Sequence, residues 1–334
     1  MTAVRTNGNR TVPADMSSKR ALVTGGAGFI GSHVVDHLLL NGQTEVVVYD
    51  NLVTGRAINV ETHRANPRFS FVQGDVLDRP RLAQALAGVD TVFHFQANAD
   101  VRGGVTQTRL DLEQNTIATW NVLEAMRCGG ARRLVFASSA TVYGEPDVFP
   151  TPEGYAPLQT SLYGASKLAG EAMIQAYSEY FGIRSFIFRF VSWTGERYTH
   201  GVVYDFLKKI RSSPAELEIL GDGQQRKSYL DVADGVRGIF LALDAAAGTK
   251  NIFNLGHDDF LPVTEVADLV CAEVGCQLPY RFTGGVRGWL GDSPFVHLDT
   301  TRIKSLGWRP QVSIQASIRR TARYLLDHPD ILSS

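Results

Sequence analysis

The sequence predicts an α/β protein: a doubly wound parallel sheet with a smaller C-terminal part. Three observations carry this. Short β-branched runs alternate with longer helical stretches over the first 190 residues. Two of those runs, EVVVY at 45–49 and LVFAS at 134–138, are almost wholly apolar, as strands covered on both faces must be. The first run opens into a glycine-rich turn that starts a helix.

The elements follow in order. Arg20–Thr24 is the first strand and Ile30–Leu40 the helix after the turn. Glu45–Tyr49, Phe69–Gln73, Thr91–Phe95 and Arg133–Ala137 continue the strand series. Helices are expected near 79–87, over 108–128 and over 161–181. After about residue 190 the alternation loses regularity, and Gly and Pro are scattered through 212–224 and 279–294. The expected organisation is a flexible tail at 1–18, a dinucleotide-binding domain at 19–190, and a mainly substrate-binding part at 191–334 that returns to the first domain. There is no internal repeat and no low-complexity segment.

Bulk composition narrows the function. The chain has 334 residues, 44% hydrophobic and 20% charged, with a formal net charge of −1. That balance gives no electrostatic case for nucleic acid or an anionic membrane as partner. Cys128, Cys271 and Cys276 show no metal-binding spacing and read as thiols in a reducing cytoplasm. The histidines show no HExxH or paired spacing, so no metal is expected. No apolar run approaches the ~20 residues of a membrane helix. The polar first 18 residues lack the apolar core of a signal peptide, and Met16 reads as nearer the functional start.

The turn after the first strand reads Thr24-Gly25-Gly26-Ala27-Gly28-Phe29-Ile30-Gly31. Gly25, Gly28 and Gly31 permit a tight turn and a close backbone approach to a pyrophosphate, and the helix beginning there aims N–H groups at the anion. Asp50, at the end of the second strand, is placed to accept hydrogen bonds from ribose hydroxyls. It also repels a 2′-phosphate, and Asn51 follows rather than a basic residue, which favours NAD over NADP. Asp75 and Val76 after the third strand, and Phe95, Gln96 and Ala97 after the fourth, are further candidates along the cofactor.

Tyr163-Gly164-Ala165-Ser166-Lys167 places a phenol and an ammonium one turn apart on a helix face. A free tyrosine has a pKa of about 10, too high for a base at neutral pH. A nearby ammonium and a positive nicotinamide are expected to lower it. The fifth strand ends in Ser138-Ser139-Ala140-Thr141-Val142-Tyr143-Gly144, which brings hydroxyls to the same place.

Together TGGAGFIG, Asp50-Asn51-Leu52, SSATVYG, YGASK and GDGQQRKSY resemble the extended short-chain dehydrogenase/reductase family. Within it the chain is most similar to nucleotide-sugar 4-epimerases of the UDP-galactose 4-epimerase group, from about residue 19 to 328. The resemblance implies a Rossmann domain with bound NAD and a C-terminal part that holds a nucleotide-sugar, most often UDP-linked. It implies that Tyr163 is the base, Lys167 its partner and a nicotinamide-ribose ligand, and Ser139 the hydroxyl on the sugar O4, with Thr141 as its alternative. Asn115 matches a family asparagine near the cofactor. It also implies a homodimer through the helices at 108–128 and 161–181; Trp120 lies in the first of these and packs an interface or core. The implied reaction is oxidation at C4 to a 4-keto sugar, rotation of that sugar, and return of hydride to the opposite face.

Departures from the family pattern fall on the substrate side. Ser192 replaces an asparagine of the usual RFxNxxG, Lys227 stands at a usual diphosphate arginine with Arg226 before it, and Trp289 stands at another, with Arg287 two residues earlier. Arg197 and His200 are placed to hold a C6 carboxylate, which suits UDP-glucuronate, and Val296 to limit bulk at C2. Arg102, Val202 and Asp292 complete the expected substrate set. Sibling dehydratases and decarboxylases carry an acid where this chain has Ala140 and Thr141, so epimerisation is favoured over elimination. A net reductase or dehydrogenase is the competing enzyme reading. A non-catalytic dinucleotide sensor has no need of a Ser139/Tyr163/Lys167 set.

Overall fold

The computed structural model describes residues 19–41, 44–213 and 215–333, so the tail expected at 1–18 lies outside the described residues. The strands are β1 Arg20–Thr24, β2 Glu45–Asp50, β3 Phe69–Gln73, β4 Thr91–His94, β5 Arg133–Ser139, β6 Arg184–Phe190, β7 Ser192–Thr194, β8 Leu217–Ile219, β9 Arg226–Lys227, β10 Tyr229–Asp231, β11 Lys250–Leu255, β12 Leu261–Pro262, β13 Tyr280–Phe282 and β14 Phe295–Val296. The helices needed below are α1 Phe29–Asn41, α2 Arg79–Ala85, α3 Thr108–Asp111, α4 Ala118–Gly129, α5 Leu162–Phe181, α6 Val202–Ser212 and α7 Val232–Ala245.

Seven strands form one sheet in the order β11-β6-β5-β4-β1-β2-β3. All of its pairings are parallel. The chain winds one way from β1 and the other way from β4, so the switch point lies between these two strands. A crevice opens there, beyond the carboxyl ends of the strands. Side chains alternate across the sheet. Ala21 and Val23 join the core under α1 and α7, while Leu22 joins the core under α2, α4 and α5. The doubly wound sheet is the fold the alternating sequence predicts. After β6 the chain leaves the sheet for β7–β10 and returns through α7 to β11, which pairs with β6 in parallel register.

β5 runs on to Ser139, so it ends in the paired serines, as expected. The helix expected over 108–128 is interrupted by a π-helical turn, Leu112–Ile117. There the Thr119 hydroxyl donates to the Asn115 carbonyl at 2.5 Å, a side-chain bond that competes with the regular helical ladder.

α5 is anchored to the sheet by a buried ion pair. Glu171 is fully buried, and Arg189 on β6 reaches it through Nη2 at 2.7 Å and Nε at 3.0 Å. Ser138 Oγ donates to the same carboxylate at 2.5 Å. Arg189 Nη1 also donates to the Tyr143 hydroxyl at 2.8 Å, and that hydroxyl donates to Asn254 Oδ1 on β11 at 2.6 Å. Removing one member of a buried pair leaves the other charge stranded. Glu171→Gln is therefore expected to cost about 3–5 kcal/mol of stability, to be read as a drop in the urea midpoint at unchanged slope.

Candidate active site

The dinucleotide side is built from the ends of β1 to β4. Gly25 turns the chain at φ +67°, and its N–H donates to the Tyr49 carbonyl at 2.9 Å. A Cβ on Gly31 would sit 2.2 Å from the Gly25 carbonyl oxygen, so α1 starts directly against the turn. A Cβ on Gly28 would lie 3.1 Å from the same oxygen. The unpaired N–H groups that open a helix are thus presented to the crevice. Phe29 packs edge-on against Tyr198 and Ile30 against the core, which leaves their backbone for a ligand.

Asp50 braces the turn from β2. Its Oδ2 accepts the Ala27 N–H at 2.9 Å and its Oδ1 the Leu52 N–H at 2.8 Å. Burial pushes its carboxyl above the usual range, and the two backbone bonds oppose that. Each oxygen keeps a lone pair for a ribose hydroxyl. Asn51 Nδ2 donates to Asp75 Oδ2 at 2.9 Å, and both line an open cleft with Gln73, Gly74 and Arg81. Val76 does not line it: its side chain is 2% exposed in the core under α2 and α4. Phe95, Gln96 and Ala97 continue from β4, and Gln96 Oε1 is buried without a partner among the described residues. A turn this tight, with a braced carboxylate and a free acceptor beyond it, fits a dinucleotide.

Ser139, Tyr163 and Lys167 meet at the end of β5. Ser161 Oγ caps α5 by accepting the Gly164 N–H at 3.0 Å, which sets Tyr163 in the first turn. A Cβ on Gly164 would lie 2.6 Å from the Thr141 carbonyl oxygen, so the glycine lets α5 close on the SSATVYG segment. Ser139 stands beside the Tyr163 hydroxyl and opposes the rise of its pKa. Lys167 Nζ donates to the Ala137 carbonyl at 2.8 Å and lies 5.8 Å from the Tyr163 ring centre. Thr141 Oγ1 is buried without a partner among the described residues. Asn115 joins this group: it donates to Ser166 Oγ at 2.9 Å, which donates to the Tyr163 carbonyl at 2.7 Å.

Burial, helped by the charge of Asp111, pushes the Tyr163 phenol up to about 12. Ser139 offsets only part of this. Lys167 is itself brought down to about 8 by burial, against the pull of Asp111 and Glu171. The lysine therefore does not make Tyr163 a base in the protein alone, because desolvation of the phenolate outweighs it.

The substrate side brings together fewer of the expected residues. Lys227 Nζ pairs with Asp292 Oδ1 at 2.5 Å and lies 4.6 Å from the Trp289 ring centre. Arg102 pairs with Asp205 of α6 at 3.3 Å and faces the same indole at 6.0 Å. Ser192 and His200 are exposed, Val202 is partly buried at the start of α6, and Val296 stands beside Lys227 in register. Three expected ligands point elsewhere. Arg197, at φ +64°, pairs with Asp36 on α1 at 2.7 Å. Arg226 alternates away from Lys227 and lies over Phe295 at 4.5 Å. Arg287 is taken by Glu145 through Nε at 2.8 Å.

Two residues of the site, Glu171 and Asp111, were missed in the sequence. Glu171 follows Lys167 by one turn, and Asp111 precedes Asn115 by one turn, a spacing that marks a shared helix face. His94 is buried between Thr24 Oγ1, at 2.7 Å from Nδ1, and Thr119 Oγ1, at 3.2 Å from Nε2. Thr119 spends its proton on Asn115, so the network assigns the proton of a neutral His94 to Nε2. No His/Cys/Asp/Glu group able to hold a metal occurs among the described residues, and none of their helices is long and apolar enough to cross a membrane.

Comparison with known proteins gives one consistent answer. Residues 21–256 match the NAD dependent epimerase/dehydratase family. The UDP-glucose 4-epimerase of Mycolicibacterium smegmatis is 33% identical over 313 residues, covering 91% of this chain and 98% of its own. A crystal structure of a UDP-galactose 4-epimerase is 39% identical with a TM-score of 0.83, covering 92% of this chain and 99% of that one. A dTDP-glucose 4,6-dehydratase double mutant from Streptomyces venezuelae, with NAD bound, is 30% identical with a TM-score of 0.86, covering 93% and 98%.

Two outcomes are expected. Gly31→Ala forces the turn off α1 and should weaken NAD binding at least about tenfold by calorimetry, since misplaced backbone donors lose their bonds. His94 is held near 3 by burial and by Lys167, against 6.5 when unfolded. Its folded value is depressed, so its contribution is full above pH 6.5 and lost as pH falls toward 3. His94→Gln should flatten the decline of the urea midpoint between pH 6.5 and 4.

Proposed function

Since the chain belongs to the NAD dependent epimerase/dehydratase family, we propose that it interconverts the C4 epimers of a UDP-linked hexose. The observation that carries this is the meeting of Ser139 and Tyr163, with Lys167 behind them, at the strand end beside the dinucleotide turn. Bound NAD supplies the hydride acceptor at C4 and gives the hydride back. Ser139 and Tyr163 hold the C4 hydroxyl, and Tyr163 takes its proton and later returns it. Lys167 provides the positive charge behind the phenol. Asn115 and Ser166 fix the first turn of α5. Lys227, with Arg102 across the indole of Trp289, takes the diphosphate by exchanging its present carboxylate partner for phosphate oxygens.

A dehydratase is the nearest alternative, given the similarity to a 4,6-dehydratase. Elimination across C5–C6 needs an added acid or base beside the serine. Ala140 and Thr141 offer none, which supports epimerisation. At C6 a neutral hydroxymethyl group is favoured over a carboxylate, because Arg197 is committed to Asp36. The substrate pair is thus UDP-glucose and UDP-galactose. A homodimer through α4 and α5 is supported by the apolar side chains they expose, Trp120 at 37% and Tyr180 at 79%. The unpaired cysteines suit a reducing cytoplasm.

A proton NMR time course with UDP-glucose and, separately, UDP-glucuronate tests the reading. The expected result is the C4 epimer of UDP-glucose, with catalytic NAD and no net NADH. Stoichiometric NADH would replace it with a dehydrogenase. Tyr163→Phe should lower turnover at least about 100-fold while NAD still binds; retained turnover removes Tyr163 from its role.

A further inference from the structure

Two of the three cysteines have no task in the reaction above and flank the end of one helix. The helix is α8, Val263–Val274, and Gly275 follows it at φ +79°. The Gly275 N–H donates to the Ala272 carbonyl at 3.3 Å, and the Cys276 N–H reaches back to the Cys271 carbonyl at 3.0 Å. This nested pair of bonds is a Schellman turn. It folds the residue after the glycine back onto the last turn of the helix, where the two side chains commonly make an apolar contact. Here both are thiols. The backbone bond holds the two residues as neighbours, the first requirement for a disulfide, whose Cα atoms lie about 4.4–6.8 Å apart.

The surroundings favour sulfur chemistry over a metal. Cys271 is 5% exposed, and Cys276 is partly buried against the same core. Tyr280, at the start of β13, donates its hydroxyl to Asp268, one turn before Cys271 on the same helix face. Burial, and then the neighbouring Cys276, pushes the Cys271 thiol up to about 11. A structural thiolate metal site needs more ligands than two sulfurs, and no His/Cys/Asp/Glu group able to hold a metal occurs among the described residues. Both cysteines are free as they stand.

We propose that Cys271 and Cys276 are a redox-active dithiol, organised by the Schellman turn, which a small-molecule disulfide oxidises reversibly to an internal disulfide. Cys276, the more exposed thiol, gives up its proton and attacks one sulfur of the oxidant. One thiolate leaves, and Cys276 is held as a mixed disulfide. Cys271 then loses its proton and attacks Cys276 Sγ, expelling the other half of the oxidant as a thiolate. The protein gives up two protons and two electrons, and one disulfide is reduced to two thiols. The third cysteine, Cys128, is exposed on α4 away from this turn and stops at the mixed disulfide. Neither thiol of the pair belongs to the site described above, so the proposal is independent of the sugar.

The test equilibrates the folded full-length chain, and separately the chain unfolded in urea, with graded ratios of reduced to oxidised glutathione. Samples are quenched with acid, alkylated and digested with trypsin. Both cysteines fall in one tryptic peptide, residues 251–281. There an internal disulfide reads as the loss of two hydrogens and of both alkyl groups. The equilibrium constant for closure should be at least about tenfold larger in the folded protein than in urea, because the turn replaces a flexible loop. Cys271→Ser should leave Cys276 as a mixed disulfide with glutathione. Equal constants for the folded and unfolded chains overturn the proposal without any variant having to fold. So does a folded wild-type protein that stops at the mixed disulfide on Cys276. No sugar turns over in this experiment, so its failure is distinct from failure of the epimerase reading.

Discussion

The Glu171–Arg189 pair is the constraint on which the rest of the site depends. The reactive groups come from separate elements, Ser139 from β5 and Tyr163 and Lys167 from α5, and hydrophobic packing alone would not fix how α5 is rotated. Small residues on the helix let it lie close to β5 but leave it free to turn. Glu171, one turn beyond Lys167, is held bidentate by Arg189 and bonded by Ser138, the neighbour of Ser139. One carboxylate thus sets the strand end and the helix face against each other. Burying two charges costs several kcal/mol each in desolvation, which the bidentate geometry only offsets. The pair's contribution is register more than net stability. Its extension through Tyr143 to Asn254 ties β11, and the chain returning from the substrate side, to the same point.

The crevice is self-neutralised before anything enters it. Lys227 holds Asp292, Arg102 holds Asp205, and Lys167 is balanced by Asp111. Each of these cations already faces a carboxylate, in keeping with a formal net charge of −1. A ligand must offer its own charge in the place of one already there. In the protein alone the Tyr163 phenol, pushed up to about 12, stays protonated at neutral pH. The protein supplies geometry and dryness.

The sheet and the crevice were legible in the sequence because they rest on local signals. Alternating apolar runs give strands to within a residue or two, and glycine spacing marks the turn because a Cβ at 31 has no room there. The Ser139, Tyr163 and Lys167 set was legible because strand end and helix spacing each constrain it. What stayed hidden depends on contacts between residues far apart. Arg197 reads as a ligand for a carboxylate until Asp36, on a helix 161 positions earlier, is seen to hold it. The surroundings of Tyr163 stayed hidden for a related reason. Sequence shows the lysine one turn away, whereas burial and Asp111 become visible only once α3 is packed against α5.

The small sheet of β12, β9 and β14 has a consequence for how such clefts change over time. β9 is two residues long, and its two side chains, both cationic, take opposite faces. Lys227 meets Asp292 and Trp289, while Arg226 lies over Phe260 and Phe295. Which cation serves the cleft is decided by where the strand is clamped between its neighbours, and a slip of one position exchanges them. Loss or gain of a single codon in the glycine-rich segment before β9 would trade an ammonium for a guanidinium without changing any residue of the cleft. A lineage can in this way alter its grip on a phosphate by sliding an inherited residue into place, while the sheet that carries the cofactor turn is left untouched.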